Sequence, residues 1–162
     1  MDKNSRPDRR PIEIPVAAMF FADWLRGSTC RLVSTWRLKV SLRWLGCAYG
    51  HGLVVDGTVV VQVRYRGSIT IGNNVLINSR FRSNLVGVTG LTVFHCIRDG
   101  RISMGDNTGC SSAVFSSRSS IAIGKNVKIG GNVRIYDHDF HAVDYLVRRN
   151  PQQDFEQEKS AP

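Results

Sequence analysis

The chain has no apolar run near the ~20 residues that a bilayer-spanning helix requires, and arginine or lysine interrupts its apolar stretches, which excludes a transmembrane span. It is short of acid. Its 13 Asp and Glu stand against 22 Lys and Arg, a net charge of +9, so any charged partner is expected to be anionic. It has only four cysteines, Cys30, Cys47, Cys96 and Cys110, with no CxxC spacing and no secretory signal before them. They are expected to be reduced thiols of a cytoplasmic protein. No GxSxG element offers a nucleophilic serine, and no nucleic-acid-reading motif accompanies the positive charge. The 162 residues, 42% of them hydrophobic, suffice for one domain with a core.

What the chain does have is a period. Ile123, Ile129 and Ile135 recur every six residues, and Ile121, Val127 and Val133 recur at the same interval two places earlier. A helix repeats near 3.6 residues, and a lone alternating strand needs no Gly-Lys-Asn or Gly-Gly-Asn between its apolar pairs. Apolar pairs punctuated by Gly and Asn, both tolerant of positive φ, fit a chain that turns a corner every six residues. Related phrases occur as ITIGNNVLI from Ile69 and ISMGDNTGC from Ile102. The predicted class is therefore an all-β solenoid of hexapeptide repeats.

At its end the repeat runs into Asp137-His138-Asp139-Phe140-His141, with Asp144 three residues on. His141 and Asp139 fall in register with the two buried rows. Polar groups replacing both rows are costly in a core, so the solenoid is expected to open here into a loop or cleft.

The IGxNVxI repeats followed by DHDFH resemble the hexapeptide-repeat acyltransferases, in particular the saccharide O-acetyltransferases of surface-polysaccharide type; the likeness covers about Arg66 to Pro162. It implies a left-handed parallel β-helix, a homotrimer with active sites at subunit boundaries, acetyl-coenzyme A as donor, a saccharide or lipid-linked saccharide as acceptor, and no metal. With the reduced cysteines and the basic N-terminal segment, the enzyme is expected in the cytoplasm, or at the inner face of the membrane. Attack of a hydroxyl on a thioester needs a base, which histidine supplies near neutrality, and a carboxylate that orients the imidazole. His141-Ala-Val-Asp144 matches an HxxD feature of the family, which makes His141 the first candidate, with Asp139 or Asp144 as its carboxylate; His138 is the second. The likeness sets the coil of Ser111 and Ser112 beside the acceptor, where the two serines either hydrogen-bond a sugar hydroxyl or simply fit a tight corner; Asp137 is expected to bind substrate. In the family a tail like Leu146–Pro162 precedes further coils that supply much of the donor groove, so the chain is expected to be shortened. That expectation keeps a second reading open, a non-catalytic solenoid acting as a remnant or assembly partner.

The remaining segments divide as follows. Residues 1–15 are expected to be a loose arm. Residues 16–45, which carry all three tryptophans among arginines, read as one or two helices broken near Gly27. They cap the first coil or lie on an anionic membrane, two roles that can coexist. Residues 46–145 hold the β-helix, with the first strands in 46–67 and His51 in a turn. Residues 146–162 read as a polar loop. One family coil takes about 18 residues; the interval from Ile71 to Met104 is 33, nearly two coils, so Ser79 to Arg101 should hold an irregular coil with a protruding loop. There Arg80, Arg82, His95 and Arg98 form either a solvated basic face or a contact for an acidic saccharide or phosphate; His95 also fits a satisfied core position.

Overall fold

A computed structural model describes residues 14–157, with side chains over 21–154. The expected arm lies outside the described residues except for Ile14 and Pro15, which open helix α1 (Ile14–Trp44). Twelve strands follow: β1 (Ala48–Tyr49), β2 (Val54–Gly57), β3 (Val59–Val63), β4 (Ile69–Ile71), β5 (Leu76–Ser79), β6 (Thr92–Cys96), β7 (Arg101–Met104), β8 (Gly109–Ser111), β9 (Val114–Ser117), β10 (Ser120–Ile123), β11 (Lys128–Gly131) and β12 (Arg134–Tyr136). They form three parallel sheets of four strands: β1-β4-β7-β10, β2-β5-β8-β11 and β3-β6-β9-β12. Each circuit of the chain adds one strand to each sheet, which is a β-helix-like solenoid. Two short helices close the described chain, α2 (Tyr145–Arg148) and α3 (Pro151–Gln157).

The register stacks like on like. Ile69 pairs with Ile102 and Ile102 with Ile121, while Val61, Phe94, Phe115 and Ile135 form a second column. Phe94 and Phe115 are fully buried, with rings stacked at 5.2 Å and 6°. The corners divide the work of glycine and asparagine. Asn74, Asn107 and Asn126 carry the left-handed φ, at 54, 58 and 61°, and their amides form a ladder at 3.2 and 3.1 Å. The neighbouring glycines serve close approach instead: a Cβ on Gly105 would sit 2.7 Å from the carbonyl carbon of Gly124 in the next coil.

Helix α1 runs unbroken through Gly27, against the expected break. An interior glycine costs only about 1 kcal/mol relative to alanine, and docking of one helix face outweighs that. Leu38 and Leu42 are buried on the first coil, and Thr35 Oγ1 accepts the Val55 N–H at 2.8 Å and donates to the Val55 carbonyl at 3.3 Å. The helix thus satisfies backbone groups on the outer edge of β2, as a capped solenoid end requires.

The 33-residue interval is one circuit, not nearly two, because Ile69 pairs directly with Ile102. The surplus is a loop over residues 80–91 that leaves after β5 and returns at β6. It lies along the corner between the second and third sheets: Asn84 donates to Ser111 Oγ at 2.9 Å, Asn132 accepts the Thr89 N–H at 2.9 Å and donates to the Gly87 carbonyl at 3.0 Å, and Val88 is buried. Arg80 pairs with the buried Asp56, which also meets Arg31 at 3.4 Å. Arg82 grips Asp23 on α1 through two bonds of 2.9 and 3.3 Å. These two arginines tie the loop to the helix and the first coil.

The four cysteines are unpaired, and burial pushes the Cys96 and Cys110 thiols up to about 12. Among the described residues no helix is long and apolar enough to cross a membrane.

Candidate functional site

The site grows from the end of β12. Asp137 folds back over the corner of the preceding coil, accepting the Arg118 N–H at 2.7 Å, the Ser117 hydroxyl at 2.8 Å and the Ser119 N–H at 3.0 Å. Burial alone would raise this carboxyl, but the Arg118 N–H, the Ser117 hydroxyl and the Ser119 and Ser120 N–H groups outweigh it and hold it below the usual range. Its oxygens are occupied by its own chain, so it braces the corner rather than facing an acceptor.

His138 comes next and is buried, although it lies over the outward face of the third sheet. Its Nε2 is 3.2 Å from Ser116 Oγ, and its Nδ1 is 3.3 Å from the Asp139 carbonyl. Ser116 Oγ is also 3.1 Å from His95 Nδ1, so His95, Ser116 and His138 form one hydrogen-bonded row across two strands and the segment beyond β12. Burial, and then the nearby His138, lower the His95 pKa. His95 is therefore neither a core residue nor part of a basic face, but a half-buried member of this row. The ring of Phe140 lies 4.5 Å from His138 and edge-on to Tyr136 at 5.0 Å.

His141 is different in kind. Its side chain is 65% exposed, and its Nδ1 is 2.8 Å from Oδ2 of Asp154, a carboxylate only 13% exposed. The other Asp154 oxygen accepts the Ala142 N–H at 2.6 Å. That N–H first, and the imidazole second, hold Asp154 below the usual carboxylate range. With Nδ1 donating to Asp154, the Nε2 lone pair faces outward, with no hydrogen-bond partner among the described residues. A neutral imidazole in that tautomer can take a proton, and the carboxylate stabilises the imidazolium that results.

The expected carboxylates are not the partner. Asp144 caps α2 by accepting the Leu146 N–H at 2.9 Å, and the exposed Asp139 carboxylate has no partner among the described residues. Asp154 is brought to His141 by α3, in a stretch the sequence presents as a polar loop. The available signal was Asn150-Pro151: asparagine caps a helix whose first residue is proline, and Asn150 Oδ1 indeed accepts the Gln152 and Gln153 N–H groups at 3.1 and 3.3 Å.

Ser111 and Ser112 lie apart from this cluster. They sit at the corner between the second and third sheets, and the histidine segment starts from the far end of the third. Both serines are buried where the 80–91 loop crosses the coil, and Ser112 takes a φ of 47°. Among the described residues no three His, Cys, Asp or Glu side chains converge as a metal ion would need.

Comparison with protein-family models, curated proteins and solved structures finds no match to this chain. The site offers one exposed, carboxylate-backed imidazole and one buried hydrogen-bonded histidine on a parallel scaffold.

Proposed function

We propose that the protein is a hexapeptide-repeat O-acetyltransferase whose solenoid is a left-handed parallel β-helix, and that it moves an acetyl group from acetyl-coenzyme A to a saccharide hydroxyl. The observation that carries this reading is the His141–Asp154 pair at 2.8 Å. His141 Nε2 removes the hydroxyl proton as the oxygen attacks the thioester carbonyl, Asp154 steadies the imidazolium, and backbone N–H groups hold the oxyanion. The thiolate of coenzyme A leaves and recovers a proton from the imidazolium, without a covalent enzyme intermediate.

A homotrimer fits the spacing of the parts. Ser111 and Ser112 stand at one end of the third sheet and His141 beyond the other, which leaves His141 facing away from the loop-covered serines and free to meet an acceptor at a subunit boundary.

The test is acetyl transfer from acetyl-coenzyme A to a panel of saccharides, followed as release of free coenzyme A. His141→Ala is expected to lower kcat by about 10²- to 10⁴-fold, the usual contribution of a positioned base. Asp154→Asn is expected to lower it at least about tenfold, because the imidazolium that forms loses its charged partner. A full rate in His141→Ala sinks the assignment; loss in His138→Ala instead moves the role to that residue.

The burial of Ser111 and Ser112 favours a second reading, a solenoid that binds without turnover. That protein would give no heat with acetyl-coenzyme A in calorimetry.

A further inference from the structure

Helix α1 is apolar on two sides. Leu38 and Leu42 face the solenoid, while Phe21, Leu25, Leu32, Trp36, Val40 and Trp44, spaced by four or seven residues, form a stripe along another side and are 44 to 76% exposed. All three tryptophans of the chain lie on this helix, each at least 65% exposed. At ~1.5 Å per residue the helix is about 46 Å long, which makes this a long apolar surface to leave in water.

Its charge says what covers it. Arg26, Arg31, Arg37, Lys39 and Arg43 are interleaved with the stripe, and the single acid over residues 21–44, Asp23, is taken by Arg82. At the C-terminal end Arg66 adds another cation, packed over Gly46. A second copy docking through the same face is a poor occupant, since it would set the arginines of one α1 against those of the other, whatever other face copies of the chain share. Beside the stripe, Leu32, Trp36, Leu53 and Val54 line a groove between α1 and β2 with Lys39 and Arg31 also in its wall, the latter already meeting Asp56 at 3.4 Å and still 55% exposed. An apolar floor with cations at the rim suits an acyl chain and its phosphate. Tryptophan and arginine together favour the interfacial layer of a bilayer, where the ring is half wet and the cation meets phosphate.

We propose that the outward face of α1 docks the protein on an anionic phospholipid bilayer, with the helix axis in the membrane plane and the solenoid standing off it. This rests on the helix alone and is independent of the acyl-transfer reading.

The experiment is flotation of the full chain with phosphatidylcholine vesicles holding about one quarter phosphatidylglycerol, against phosphatidylcholine alone, at about 0.1 M salt. Binding to the anionic vesicles only, with a blue shift of tryptophan emission and quenching by brominated acyl chains, is expected. Arg37→Gln with Arg43→Gln should weaken binding roughly 25-fold, at about fivefold per cation lost. Leu32→Asp with Trp36→Asp should abolish it while keeping a native-like circular dichroism spectrum and a cooperative unfolding transition, since both side chains are largely exposed. Quenching in the unaltered chain tests the same surface should that double variant fail to fold. Equal binding to neutral vesicles, no binding to anionic ones, or undiminished binding by a folded Leu32→Asp/Trp36→Asp chain overturns the proposal. So does an oligomer whose tryptophans are shielded from aqueous iodide and which ignores vesicles, for then a second copy covers the face.

Discussion

Asn107 sits in the middle of the asparagine ladder, giving its amide to Asn126 and receiving that of Asn74. Replacing it with alanine forces a Cβ-bearing residue to hold φ near 58° without local hydrogen bonding and breaks both rungs, at about 1 kcal/mol for the backbone and about 1 for the exposed amide bonds. Asn107→Ala should therefore lose about 2 kcal/mol in chemical denaturation and Asn107→Gly about half of that. Equal losses would mean that φ is not the cause. The Gly-x-Asn phrase was legible in the sequence because corner chemistry is local. The Asp154 contact was not, because thirteen residues and a helix separate it from His141.

At the level of elements, the helix, loop and first coil are joined through Asp56. Its carboxylate is buried and answers Arg80 from the loop and Arg31 from α1, whose side chains are 30% and 55% exposed. Breaking a fully buried pair costs about 3–5 kcal/mol, and solvent reaching both arginines reduces that to about 2. Asp56→Ala should lower the unfolding free energy by about that amount and speed proteolysis within residues 80–91; a loop cleaved no faster would show that Arg82 and Asp23 suffice to hold it. The strands could be read from composition because each repeats its own local pattern. The continuity of α1 and the path of the loop could not, since both depend on contacts between distant segments: Thr35 on Val55, Arg82 on Asp23 and Asn132 on Thr89.

For the whole molecule, the lowered Asp137 and Asp154 carboxyls and His95 share a direction with pH, whereas the raised Cys96 and Cys110 thiols act only on the alkaline side. The Asp137 and Asp154 carboxyls lie below their ordinary values when folded, so their stabilisation is complete above about pH 4, where the unfolded groups are ionised, and is lost as pH falls through the folded values. The lowered His95 works the same way from higher up: the unfolded chain takes its proton first, from about pH 6.5 downward. Acid should therefore lower the urea midpoint in two stages, the first missing in His95→Gln and the second shallower in Asp137→Asn. A midpoint flat from about pH 7 to 3 would refute the account.

Parallel stacking also constrains how the chain finds its fold. No strand here has a partner until the backbone has closed a full ring, of 19 residues for Ile102 to Ile121 and 33 for Ile69 to Ile102. Closure entropy grows only with the logarithm of ring size, so the wider ring costs about 0.5 kcal/mol more than the narrow one. Nucleation can thus begin at either pair of coils with nearly equal ease, and evolution could lengthen the 80–91 loop without slowing assembly by more than about twofold.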